Sequence, residues 1–318
     1  MGHSPMLSVW RLYLFIGAMG FFFLLAAAFL VGSAARVLDR GAPWPPRSRR
    51  MRRLRRVVFA FALLSLGLVV EANIEPWWPN VRRLSVSSPG WKGSRPLRIV
   101  HLSDLHCDPR PRLEPRLPDI VRALEPDLVV FTGDALNDAA GLPIFRACMT
   151  DLAKIAPTVA VRGNWDVWYS SNIDLFGGTG VRVLDGASAR IATPAGDVWV
   201  GGAEVGGEAA FPGLLAAAPK DVFRVVLHHY PDEWVSAEAG GADLFLAGDV
   251  HGGQIALPLA GPLVRLSRRE TYYRTGLSQK SRLRMHVSPG IGLEGGTTPR
   301  LRLFCRPEVT LLEISAGP

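Results

Sequence analysis

The sequence predicts an α/β protein built on two sheets with helices outside them, preceded by apolar N-terminal segments of membrane-spanning character. Three observations carry this. From residue 96 onward, short β-rich runs alternate with helix-like stretches and then follow one another more closely. Five polar clusters stand at or just past the ends of apolar runs: Asp104-Leu105-His106, Gly133-Asp134, Gly163-Asn164, His228-His229 and Gly248-Asp249-Val250-His251. Ahead of them lie two apolar stretches separated by an arginine-rich run.

The first 75 residues read as a membrane anchor. No charge falls between Arg11 and Arg36, so a helix over about 12–35 is long enough for a hydrocarbon core of about 30 Å. A cleaved signal peptide is the alternative, but the apolar stretch is long for one and only a single arginine precedes it. Residues 36–56 form an Arg-rich loop in which Pro43, Pro45 and Pro46 disfavour a helix. A second apolar segment covers 57–70, and it either spans or lies in the interface. If both segments span, the positive-inside rule holds the arginines in the cytoplasm and sends everything after residue 75 to the other side. If only the first spans, the body is cytoplasmic. Residues 76–95 read as a linker, with Trp77 and Trp78 at headgroup level.

The formal net charge of +8 resides almost wholly in the 36–56 run, which holds nine arginines and one acid. The body that follows is close to neutral, so no nucleic-acid face is expected. Cys107, Cys148 and Cys305 have no metal-binding spacing, and Cys107 reads as a small buried thiol.

In the body, 97–102, 127–131 and 158–161 read as strands, with helices over 117–124 and 144–155 between them. Further strands are expected at 181–184, 198–200, 223–227, 243–246, 285–287, 301–304 and 309–314. Polar clusters directly after strands are where open α/β sheets bind ligands. The clusters supply carboxylate, amide and imidazole donors and no thiolate, a set suited to hard or borderline divalent cations.

The ordered series Asp-x-His, Gly-Asp, Gly-Asn, His and Gly-x-x-His-Gly-Gly-Gln resembles the calcineurin-like metallophosphoesterase superfamily. With Val287-Ser288-Pro289-Gly290-Ile291-Gly292 and Arg306-Pro307-Glu308, it is most similar to the membrane-associated bacterial branch. The resemblance covers about 96–315 and implies an αββα sandwich over 96–318. It also implies two divalent metal ions. Asp104, His106, Asp134 and His251 would hold one, and Asp134 (bridging), Asn164, His229 and Asp249 the other. Mn²⁺ is favoured, with Fe or Zn²⁺ as alternatives. Asp134, Asn164 and His229 are the implied catalytic residues. The reaction implied is hydrolysis of a phosphodiester or pyrophosphate by hydroxide held between the metals. The substrate would be a phosphate compound, lipid-linked if tethering serves encounter, and the location the bacterial cytoplasmic membrane with an extracytoplasmic catalytic domain. A non-catalytic metal-binding or signalling module is the alternative.

His229, two residues before Pro231, fits the family's fourth block better than His228, which reads as packed behind the site. His101 reads as core, and Asp138 and Asp166 as turn or helix-cap residues. The loop from Trp168 to Phe176 could admit an acyl chain, but packing is the preferred reading. Two departures stand out. Asp249 replaces the usual histidine, adding charge that favours a harder ion. Trp165 stands where many members carry the histidine that protonates the departing oxygen, and indole is no acid at neutral pH.

Overall fold

A computed structural model describes residues 13–14, 16–28, 30, 49–257, 261–263, 275–295 and 300–317. Most of them form a four-layer sandwich. The first sheet begins with β1 (Asn80–Ser88), β2 (Leu97–Leu102), β3 (Leu128–Phe131), β4 (Thr158–Ala160) and β5 (Arg182–Val183). The second uses β6 (Ala187–Ile191), β7 (Val198–Gly202), β8 (Phe223–Leu227) and β9 (Leu244–Ala247). After the short ribbon of β10 (Ala256–Leu257) and β11 (Gly261–Pro262), β12 (Gly276–Lys280) and β13 (Leu283–Val287) complete the second sheet. The chain then returns to the first as β14 (Glu308–Ala316). The orders are β1-β14-β2-β3-β4-β5 and β12-β13-β9-β8-β7-β6.

Strand periodicity assigns the layers. Leu97, Ile99, Leu128 and Val130 on one sheet meet Val225, Leu227, Leu244 and Leu246 on the other in the inter-sheet core. The alternate residues Val100, Leu102, Val129 and Phe131 face away. They pack against α3 (Leu117–Arg122) and α4 (Leu142–Ala153) through Val121, Phe145 and Met149. On the far side, Val226, Phe245 and Met285 pack with Phe211 and Ala237. These two belong to α6 (Phe211–Ala216) and α7 (Trp234–Ala239), which follow the one-and-a-half-turn α5 (Asn164–Tyr169). Both faces of the central strands are covered, which is why they read as unbroken apolar runs. β2, β3 and β4 run parallel, as do β7, β8, β9 and β13, so each set ends at one rim.

The structure corrects three expectations. The 76–95 segment is not merely a linker: β1 lies within it as an edge strand, parallel to β14 from Asn80↔Glu308 to Ser88↔Ala316. Its Asn, Arg and Ser residues hid it, because an edge strand presents one side to solvent. The 301–304 run is not a ladder strand. Only Leu303 makes an isolated bridge, to Ile255, and Phe304 turns to φ +53° while its N–H donates to Glu75 Oε2 at 2.6 Å. Finally, 49–56 are not loop. They are the first two turns of α2 (Arg49–Ile74), so 57–70 is part of a 26-residue helix. Arginine is a good helix former, and no breaker intervenes after Pro46 until Gly67. The remainder of the 36–56 run lies outside the described residues, as do 31–35 of the first apolar segment.

The described part of that segment is α1 (Ile16–Ala28). It lies against α2, with Phe22 stacked on Phe61 at 4.6 Å and Ala26 packed on Val58 and Ala62. Among the described residues, the helix Arg49–Trp77 is long and apolar enough to cross a membrane. Its C-terminal end is fastened to the sandwich. Arg112 and Arg116 donate to the carbonyls of Pro76 and Trp77, and Arg306 donates to that of Trp78 while lying over its indole.

Candidate metal centre

The loops leaving β2, β3, β4, β8 and β9 converge at the rim, and the polar clusters of the sequence meet there. One donor atom each from Asp104, His106, Asp134 and His251 lies within 4.8 Å of the other three, all buried. His106 Nε2 is 3.3 Å from His251 Nε2 and 3.5 Å from Asp134 Oδ2, and His251 Nε2 is 3.3 Å from Asp104 Oδ1. On the other side, His229 Nε2 approaches Asp134 Oδ2 at 3.3 Å, Asp249 Oδ1 at 3.8 Å and Asp104 Oδ1 at 3.9 Å. Asp134 thus faces imidazoles on both sides through a single oxygen. Asn164 is buried between Gly163 and Trp165, whose backbone N–H donates to Asp134 Oδ1 at 2.9 Å.

This geometry is held at a backbone cost. Asp104, His106, Asp134, Asp249, His251 and Gln254 all have φ between +44° and +70°, the left-handed region. That conformation costs a non-glycine residue about 1–2 kcal/mol, and it aims consecutive side chains inward from short loops. Glycines make the close approaches. At Gly133, φ is +99° and a Cβ would meet Gly163 N at 2.4 Å; at Gly290, φ is +71° and a Cβ would meet that of Asp104 at 2.7 Å.

The donor set fits divalent cations. Asp104 Oδ2, Asn164 Oδ1 and His229 Nε2 are buried without a hydrogen-bond partner, a costly state for a polar atom unless an ion or water completes it. His229 donates Nδ1–H to the Thr132 carbonyl at 2.7 Å, which turns Nε2 toward the centre, the orientation metal-bound histidines adopt. Charge points the same way. Burial lifts Asp104 to about 6, and it also lifts Asp249, with the neighbouring carboxylates adding to the rise. Burial would lower His229, but Asp134, Asp104 and Asp249 outweigh it and hold the imidazole well above its usual range. His106 is pushed down to about 4, chiefly by burial, and so stands as a neutral donor.

The residues read as supporting lie behind the ligand set. His228 places Nε2 3.2 Å from Glu208, and His101 bonds His286 at 2.8 Å and Thr132 at 2.9 Å. Asp138 caps the turn at Ala140, and Cys107 is buried. Phe176 packs with Phe131 and Phe145, so the loop before it closes a core, although Tyr169 is exposed. Asp166 is more than a cap. Its carboxylate accepts the N–H groups of Asp134, Ala135 and Gly163 at 2.8–2.9 Å and so ties the second cluster to the third.

Two residues were missed by sequence reasoning. Glu294 Oε2 comes within 3.9 Å of His251 Nε2, and the indole of Trp165 hydrogen-bonds the same carboxyl. Burial, then Asp134 and Asp104, lift Glu294 to about 8. Arg302 is fully buried and donates twice to the Gly292 carbonyl, whose own N–H reaches the Asp104 carbonyl at 2.6 Å. Both sit in glycine- and arginine-rich stretches with no ligand-like spacing; only the Gly290-Ile291-Gly292 turn before Glu294 hinted at the site.

A two-sheet sandwich with an Asp/His cluster at the strand rim defines a metallophosphoesterase, and the comparisons agree. The chain belongs to the calcineurin-like phosphoesterase family, whose model matches residues 97–253. It is therefore a hydrolase of phosphate esters. It is 32% identical over 238 residues to phosphodiesterase YaeI of Escherichia coli (strain K12), covering 69% of this chain and 82% of that one. Two uncharacterized metallophosphoesterases of Bacillus subtilis (strain 168) are each 27% identical. YkuE covers 69% of this chain and 79% of its own, and YkoQ 79% and 98%.

Asp166→Ala leaves three buried N–H groups without an acceptor. At about 1–3 kcal/mol for each group orphaned, offset by local relaxation, the expected loss is about 3 kcal/mol. Thermal melting should then fall by roughly 6–12 °C, whereas Asp138→Ala, at an exposed turn, should shift it by less than about 3 °C.

Proposed function

We propose that this protein is a membrane-anchored phosphohydrolase that uses two divalent metal ions to cleave a phosphodiester or pyrophosphate bond. The observation carrying it is the single Asp134 oxygen set between His106 and His229. Asp104, His106, Asp134 and His251 would hold one ion, and Asp134, Asn164, His229 and Asp249 the second. Bound together, such ions supply Lewis acidity and charge neutralisation for in-line displacement at phosphorus. The protein's part is to hold these donors rigidly and keep water out of the cluster's back wall, through the Thr132–His229 and Asp166 contacts. Three carboxylates among the ligands, rather than two, favour Mn²⁺ over Zn²⁺.

Trp165 shapes the choice of bond. Its indole stands edge-on to His106 at 5.2 Å, in the place of the family's proton donor, and cannot protonate a leaving oxygen. A phosphate anion departs without a proton, whereas an alkoxide does not. The substrate supported on this ground is a pyrophosphate or activated phosphodiester; the alternative is that the Glu294 carboxyl beside the indole, lifted to about 8, or His228 supplies the proton an alkoxide needs. The α2 helix and its arginine-rich start support an anchor that leaves the catalytic domain outside the cytoplasm, beside lipid-linked phosphates.

Asp134→Asn should lower Mn²⁺-dependent hydrolysis of bis-p-nitrophenyl phosphate at least 1,000-fold while circular dichroism remains that of the wild type. Full activity in the variant would refute the bimetal assignment, and an inactive wild type would favour a non-catalytic module. General acids contribute about 10²–10⁴-fold, so turnover of a diphosphate-linked substrate should exceed that of a dialkyl phosphate by at least 100-fold, and equal rates would remove the role given to Trp165. Fusion of alkaline phosphatase to the C-terminus should give active enzyme in bacteria, while a cytoplasm-only fluorescent reporter stays dark; the reverse pattern places the domain inside.

A further inference from the structure

A cavity of about 340 Å³ opens where α1, α2 and the sandwich meet. Its walls are mainly apolar: Gly20 and Phe23 from α1, Leu68 and Ala72 from α2, and Ile255 and Leu303 from the loops beside the metal centre. Leu68, Ala72, Ile255 and Leu303 also pack together as a small core, so the floor is fixed rather than a gap between loosely placed helices. Gly20 is exposed at the cavity rim, and a Cβ built there meets nothing within 4 Å.

The cavity wall adjoins the site along the chain. Ile255 lies four residues from His251, at most about 14 Å of extended backbone. The residue between them and the wall, Gln254, is bonded to Glu294 in both directions, accepting its N–H at 3.0 Å and donating to its carbonyl at 3.4 Å. Leu303 N–H in turn donates to the Gln254 carbonyl at 2.9 Å. Outside the cavity, α2 exposes Leu63, Leu64 and Leu66 along the face a bilayer would cover.

From this we propose that the cavity is an acyl-chain subsite: it takes one alkyl chain of an amphiphilic substrate whose phosphate lies at the metal centre. The proposal rests on the phosphohydrolase reading and names the substrate class of the same site. The volume is on the scale of a single alkyl chain. Its size suits a small ligand, and the walls are apolar apart from Asn73, whose amide donates to the Val69 carbonyl at 2.7 Å.

The test uses the full-length protein in phosphatidylcholine nanodiscs with Mn²⁺. Ethyl and decyl p-nitrophenyl phosphate share one acidic leaving group and differ only in the chain. The wild type should show kcat/KM at least tenfold higher for the decyl ester. Gly20→Phe adds a bulky side chain at the cavity rim without displacing a neighbour, and Leu68→Trp adds bulk from the α2 wall; at least one of the two should cut that ratio fivefold or more, chiefly through KM for the decyl ester. Bilayer partitioning is common to all three proteins, so an unchanged ratio in both variants overturns the subsite. A diazirine-tipped decyl phosphate, photo-cross-linked and mapped by mass spectrometry, reads binding without turnover. Labels on the Leu68–Ala72 or Leu301–Leu303 peptides support the subsite even if no ester is cleaved, in which case only the hydrolase reading falls. Labels spread over Leu63, Leu64 and Leu66, with the ethyl ester still cleaved, overturn the subsite alone.

Discussion

Like charge crowded into a dry pocket is the constraint on which this structure depends. Asp104 and Asp134 place donor atoms within 4.8 Å of each other, and Asp249 and Glu294 press on the same space. At an effective dielectric of about 20, each such pair repels by about 3–4 kcal/mol, against a total stability of about 5–15 kcal/mol for a typical domain. Protons or cations must compensate, and His229 with the lifted carboxyls shows where positive charge is wanted. The centre is built for ions before any substrate arrives.

Everything around the centre keeps those charges from escaping one another. Six residues in left-handed backbone aim side chains inward, and glycines let adjacent loops touch. Asp166 stitches the second and third clusters together, while Arg302 anchors the Gly292 turn against the first. The two sheets supply the rigid rim. Because both sets of parallel strands end there, short loops suffice to bring distant parts of the chain together.

The strands that carry ligands were legible because they are buried on both faces and therefore written in apolar residues. β1 escaped because an edge strand needs only one such face, and Arg82 and Arg83 obscured it. The 301–304 run misled in the opposite direction. Its apolar side chains serve a helix contact, and its backbone is drawn off by Glu75. Asp166 carried a correct local meaning as a cap, yet its longer reach to Asp134 and Ala135 had no local signature. Glu294 had none at all.

By itself, the sequence determined the donor chemistry, the order of the clusters and their placement after strands, because side-chain identity and strand periodicity are properties of the chain. It also determined that position 165 carries an indole, which no fold can make acidic. Only the tertiary structure decided that one Asp134 oxygen faces both imidazoles, that Glu294 joins them, and that α1 and α2 enclose a cavity against Ile255 and Leu303. Those are relations between segments far apart in the chain, and packing alone sets the distances between them.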